Sequence, residues 1–150
     1  IRKQIDIPII AAGGIADGAG MAAAFAVGAE GIQMGTRFVS SKESPVHENF
    51  KNYIFDSPPN GTWILNKNSK PVIRALRTDF TKEILDAGEM DMSAMRKIQD
   101  LYFGGDMNAA PALSGQSAGL IDGIKSAEEI IEDTIREFNE TCSKLGGLKL

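Results

Sequence analysis

The chain has 150 residues, 43% of them hydrophobic and 24% charged, with 16 Lys+Arg against 20 Asp+Glu for a net charge of −4. That apolar share excludes wholesale disorder, and mild acidity without a basic block argues against a nucleic-acid or anionic-membrane surface. The single Cys142 excludes an intramolecular disulfide framework or an all-cysteine metal site, and no apolar run reaches the roughly 18 residues of a membrane-spanning helix.

Residue 1 is Ile and a strand pattern starts almost at once, so the expectation is a start cut from something longer. Residues 5–10 are dense in isoleucine and end in Ala11-Ala12-Gly13-Gly14, which predicts a strand buried on both faces. Asp17 offers a helix N-cap, Met21, Ala24 and Phe25 recur at helical spacing, and Gly28 is a natural stop. Ile32-Gln33-Met34 forms a second short strand closed by Gly35-Thr36-Arg37-Phe38. Strand, helix and strand in about thirty residues is one βαβ unit with a parallel pair.

Ser44-Pro45 predicts a cap and first helical residue ahead of Val46, Phe50, Tyr53 and Ile54, a stripe that ends at Ser57-Pro58-Pro59-Asn60-Gly61. Residues 62–65 and 71–76 are candidate strands. Thr78 or Asp79 caps a helix stopping at Gly88, and Met92, Met95, Ile98 and Leu101 mark another. Ser126-Ala127-Glu128-Glu129 is a capping-box pattern, followed by an apolar face of Ala127, Ile130, Ile131, Ile135 and Phe138. Two parallel strands cannot cover their own faces. The inventory therefore describes the closing part of an α/β domain with an appended, mostly helical segment.

Two glycine-bearing turns carry the chemistry. Each ends a predicted strand at its carboxyl end, where α/β folds place ligands. Gly13 and Gly14 leave the backbone N–H groups open to an anion, and the helix that follows turns its N-terminus toward it. Gly35 repeats this access, and the Thr36 hydroxyl adds a donor. Each alone reads first as a tight strand-to-helix turn; together, spaced by one βαβ unit, they read equally as a phosphate cradle without lysine. Gln33 is polar within an apolar strand and fits either an inward bond to a flat cofactor or an outward contact to a helix. His47, the only histidine, has no orienting partner at a useful spacing and reads as a surface or helix-cap residue. No metal set is expected. Glu128-Glu129 complements a helix dipole, and the methionines at 90, 92 and 95 form a packing surface.

Ile7-Pro8-Ile9-Ile10-Ala11-Ala12-Gly13-Gly14-Ile15-Ala16-Asp17-Gly18 with Gly31-Ile32-Gln33-Met34-Gly35-Thr36-Arg37-Phe38 resembles the nitronate monooxygenase family, which includes enoyl-acyl carrier protein reductase II. Ser44-Pro45-Val46-His47 and Ser114-Gly115-Gln116-Ser117-Ala118-Gly119-Leu120-Ile121 continue the match. The resemblance implies a (β/α)8 TIM barrel binding FMN at its carboxyl face, with the two strands here as the last two. It implies closing barrel units over residues 1–56, a helical lid over 57–110, and a flavin-side loop with the returning C-terminal helix over 111–150. By motif, Gly13, Gly14, Gln33, Met34, Gly35 and Thr36 would contact FMN, with Gly115 and Gln116 approaching from the later loop. The family's catalytic histidine belongs to a motif upstream of residue 1, so no catalytic residue is assigned here and the chain alone is expected not to turn over substrate.

The implied activity is oxidation of alkyl nitronates with oxygen. The alternatives are NAD(P)H-dependent enoyl-acyl carrier protein reduction, a non-catalytic FMN- or phosphate-binding fragment, and a phosphate-binding barrel of the nucleotide-handling dehydrogenase kind. The expected partners are a small-molecule substrate, with neither nucleic acid nor membrane; the Met-rich segment permits a homodimer. The flavoenzyme resemblance and the single thiol imply a cytoplasmic location.

Overall fold

The structure, a computed structural model, describes residues 1–148. Strands β1 (Ile10–Ala12) and β2 (Gly31–Gln33) pair in parallel, with Ile10 opposite Gly31 and Ala12 opposite Gln33. Helix α1 (Gly18–Ala26) is the crossover between them. Its start is fixed by Asp17, whose carboxylate accepts from the Gly20 N–H at 2.7 Å. Ala11, Ile32 and Met34 pack beneath it against Ile15, Ala24 and Ala29.

The predicted strand over residues 5–10 is corrected. Arg2–Gln4 forms a 3-10 turn, the strand begins at Ile10, and Ile5, Ile7 and Ile10 are 38%, 66% and 59% exposed rather than buried. Ile5 and Ile7 lie ahead of the paired residues, and for Ile10 the physical reason is coverage. Helix α1 shields one face of a two-stranded sheet, and among the described residues no layer covers the face carrying Ile10, Ala12 and Gln33.

After β2 the chain turns at Gly35 into a single helical turn, α2 (Thr36–Val39), where the sequence reading placed only a closing loop. Helix α3 (Glu48–Phe55) is capped by His47, not Ser44: the His47 Nδ1 accepts from the Asn49 N–H at 3.1 Å. The His47 N–H is itself tied to the Tyr102 carbonyl at 2.6 Å, which fixes the entry point three residues later than Ser-Pro suggests.

Residues 57–110 contain an antiparallel hairpin as well as helices. Strand β3 (Thr62–Leu65) pairs with β4 (Ile73–Leu76), a shorter second strand than residues 71–76, with Thr62 opposite Leu76. Helix α4 (Asp79–Ala87) opens with Thr78, which exchanges hydrogen bonds with Thr81, and stops at Gly88 with φ 82°. A 3-10 segment (Met92–Lys97) leads into α5 (Ile98–Tyr102). Phe50, Ile54, Leu76, Leu101, Ala112 and Ala118, all fully buried, form the main core, which joins α3, β4, α5 and the 3-10 turn Gln116–Leu120. That core clamps the Ser114-to-Leu120 loop in place.

Helix α6 (Ala127–Gly146) returns against α1. The two helices approach so closely that a Cβ on Gly18 would lie 2.2 Å from the Phe138 nitrogen, and Phe25 meets Phe138 edge-on at 5.4 Å. Ile130 is buried as expected, whereas Ile131 and Ile135 are 48% and 51% exposed.

The α6 cap makes a pH prediction. The Glu129 carboxylate accepts from the Ser126 N–H at 2.6 Å and from Lys42 at 2.9 Å. The first contact, then the second, lower its pKa from 4.5 to about 2. Hydrogen bonds from Arg136 and Lys125 bring Asp133 to about 2 as well. Because the folded values lie below the unfolded ones, the stabilisation is complete above the ordinary carboxylate range and fades as pH falls toward 2. Thermal unfolding followed across that window is expected to show a shallower acid decline for Glu129→Gln than for the parent, with the Asp133 share remaining.

Candidate cofactor and substrate site

The parallel pairing brings the two glycine turns to the same end of the sheet. One step beyond Ala12 and Gln33 in register lie Gly13 and Met34, then Gly14 and Gly35. Gly13 and Gly14 have φ of 89° and 77°, the left-handed region that an L side chain rarely adopts. A Cβ at Gly13, Gly14 or Gly35 would meet nothing within 4 Å, so the space in front of these peptides is open. Among the described residues, the N–H groups of Gly14, Gly35 and Thr36 donate to no protein acceptor outside the strand ladder. Three free amides from two adjacent strand ends suit an anion.

The later loop closes over this point. The Gly115 N–H donates to the Thr36 hydroxyl oxygen at 2.8 Å, across 79 residues of sequence. That oxygen accepts from the loop and retains its own proton to donate onward. Gln116 and Gly14 line one cavity of about 250 Å³ with Pro59, Ser117, Gly119 and Leu120. Gly119 is required there, because a Cβ would lie 2.5 Å from the Pro59 Cα. Sequence patterning missed Pro59, since Pro58-Pro59-Asn60-Gly61 carries only the signature of a turn.

The remaining site residues separate by face. Met34 packs with Ile32 on α1, so only its backbone faces the strand end. Alternation puts Gln33 on the opposite, exposed face with Ile10 and Ala12, which resolves its orientation away from α1. His47 lies outside the cradle cavity and is occupied as a cap; a Cβ on Gly105 would come 2.3 Å from its Nδ1. Arg37 is 5% exposed and turned away, donating to the Gly123 carbonyl at 2.8 Å and pairing with Asp122 at 3.5 Å. It ties α2 to the chain ahead of α6 and leaves the cradle a site of amides and a hydroxyl. Beside this pair, Lys125 is raised by its hydrogen bond to Asp133. Among the described residues no cluster of metal-ligating side chains forms, and no helix is long and apolar enough to cross a membrane.

Comparison with known proteins shows the family. The profile of the family described as nitronate monooxygenase matches residues 1–137. A probable nitronate monooxygenase from Staphylococcus saprophyticus is 33% identical over 94% of the chain and 41% of that protein. A carboxyl-CoA dehydrogenase from Rhodococcus jostii is 28% identical over 99% of the chain and 55% of that protein. FabK from Thermotoga maritima superposes with a TM-score of 0.90 at 43% identity, covering 97% of the chain and 49% of FabK. A nitroalkane oxidase from Streptomyces ansochromogenes gives 0.78 at 26% identity, covering 95% and 42%. The chain thus spans about half the length of the proteins it matches. A profile match over nearly the whole sequence, on a βαβ unit with both glycine turns at one end, assigns this chain to the nitronate monooxygenase family.

Proposed function

We propose that the full-length protein is an FMN-dependent oxidoreductase on a TIM barrel, whose last two barrel strands are β1 and β2 and whose phosphate cradle lies in this chain. The observation that carries this reading is the convergence of free amides at Gly14, Gly35 and Thr36, with Gly13 beside them. When bound, FMN supplies the electron-transfer chemistry. The residues of this chain bind and orient it: the amides and the Thr36 hydroxyl hold the phosphate, Gln33 faces the barrel interior, and Gly115 and Gln116 limit water from above. Residues 57–110 act as the lid on the substrate side. His47 is assigned no proton transfer, because it serves as the cap of α3 and does not line the cradle cavity.

Two reactions fit this frame. Reduction of an enoyl thioester by NAD(P)H is favoured by the 43% identity to FabK, an enoyl-acyl carrier protein reductase II. Oxidation of an alkyl nitronate with oxygen is favoured by the family's description and the nitronate monooxygenase relatives. The test begins with an absorbance spectrum of the full-length protein as purified, with the pigment released and identified. Rapid bleaching by NADPH and reoxidation by crotonyl-CoA establishes the reductase; bleaching by propyl-2-nitronate alone establishes the oxidase. A colourless protein that takes up no FMN sinks both.

The Thr36 contact gives a sharper check. Thr36→Val leaves the Gly115 N–H without its acceptor and removes a phosphate donor, which costs about 1–3 kcal/mol. The FMN dissociation constant is expected to rise roughly tenfold or more, with Thr36→Ser close to the parent in a flavin-fluorescence titration.

A further inference from the structure

On the far side of the Pro58-Pro59 turn lies a second and larger cavity, of about 580 Å³. Asn52, Tyr53 and Asp56 of the α3 region line it together with Ser57, Pro58 and Arg77. Arg77 is the unusual member. Its guanidinium lies over the Trp63 ring at 5.2 Å, which holds it in place by stacking and leaves its outer edge available. Among the described residues it forms no ion pair, although Asp56 lines the same cavity, and its buried Nε has no hydrogen-bond partner. The Ser57 Oγ, of another lining residue, is buried and equally without a partner. Both atoms are closed to solvent, so what Arg77 offers the cavity is the edge formed by its terminal amino groups, which have no protein partner among the described residues.

We infer that this cavity is an anion subsite in which Arg77 receives a phosphate group of an elongated ligand whose reactive end reaches the cradle side of the Pro58-Pro59 turn. The proposal rests on the oxidoreductase reading and extends it to ligand class. Pro58 lines this cavity and Pro59 lines the cradle cavity, so one short turn is the wall between them. A nitronate of a few atoms fills one side only. A planar guanidinium with a free edge matches a phosphate oxygen pair. Two ligands have the required length and charge: the phosphate-bearing arm of a thioester substrate and the phosphates of a pyridine nucleotide.

The experiment uses the full-length flavoprotein, with Arg77→Gln, Arg77→Lys and Asn52→Glu. Asn52 is exposed on the cavity rim, so its replacement places a like charge at the subsite without touching the core. Coenzyme A and NADPH are titrated by calorimetry. The KM values of crotonyl-CoA and of phosphate-free crotonyl N-acetylcysteamine thioester are compared. Arg77→Gln and Asn52→Glu are expected to weaken one phosphate ligand about 10- to 100-fold, with Arg77→Lys between, and the phosphate-free thioester unmoved. Loss confined to coenzyme A names the thioester arm as occupant; loss confined to NADPH names the nucleotide. A flavin-loaded protein whose affinities for both are unchanged in Arg77→Gln and Asn52→Glu overturns the subsite alone. A protein that binds no flavin overturns the reading beneath it.

Discussion

Gly14→Asp in the full-length protein is expected to give a folded polypeptide that retains no FMN. The backbone there has φ 77°, and a Cβ would meet nothing within 4 Å, so the new side chain disturbs no packed neighbour. Aspartate tolerates the left-handed region better than most residues, which keeps the conformational cost to about 1–2 kcal/mol or less. The electrostatic cost is larger. A carboxylate about 4 Å from a phosphate charge is repelled by about 4 kcal/mol at an effective dielectric near 20, close to a thousandfold in affinity. Gly14→Asn separates the two effects, having similar size and backbone tolerance without the charge. Flavin content per polypeptide should fall to background for aspartate and only modestly for asparagine, while the flavin-free forms of the two variants melt alike. Equal flavin content in both variants would remove the phosphate from this turn.

The legible parts of this molecule are those set by short-range chemistry. Asp17, Thr78, Gly88 and the Ser126-to-Glu129 box define helix ends in the structure as they do in the sequence, because each satisfies backbone groups within three or four residues. The βαβ unit is legible for the same reason: its helix and both strands lie within a continuous stretch, and parallel pairing puts residues 13 and 35 at one end. What escaped depends on distant partners. His47 replaces Ser44 as the cap because the Tyr102 carbonyl, 55 positions away, takes its N–H. Isoleucines 5, 7 and 10 have the composition of a buried strand, yet Ile5 and Ile7 lie ahead of the paired residues, and the exposure of Ile10 is decided by what covers its face of the sheet. Thr36 is recognisable as a donor, but its bond to Gly115 joins loops that no periodicity connects. Pro59 and Arg77 have no signal in the sequence as cavity-lining residues, since a proline turn and a strand-end arginine have ordinary surface explanations.

Phe50→Ala should remove the flavin by a different route and so calibrate the first result. Phe50 is fully buried, meets Tyr102 edge-on at 5.0 Å, and belongs to the core that joins α3 to β4, α5 and the Gln116-to-Leu120 turn. Truncating such a ring costs about 3–5 kcal/mol through lost burial and the cavity left behind, a large share of the roughly 5–15 kcal/mol that holds a domain together. The cradle amides are untouched, because Gly14 and Gly35 lie outside that core. Intrinsic affinity for FMN should therefore survive in the molecules that remain folded. Excess FMN binds only the native state and raises its apparent stability by mass action, so the urea midpoint of Phe50→Ala should climb with added FMN. The midpoint of Gly14→Asp should not respond. If FMN rescued Gly14→Asp and left Phe50→Ala unmoved, the phosphate would have to bind through the core-supported loop, with the two glycine turns serving only the fold.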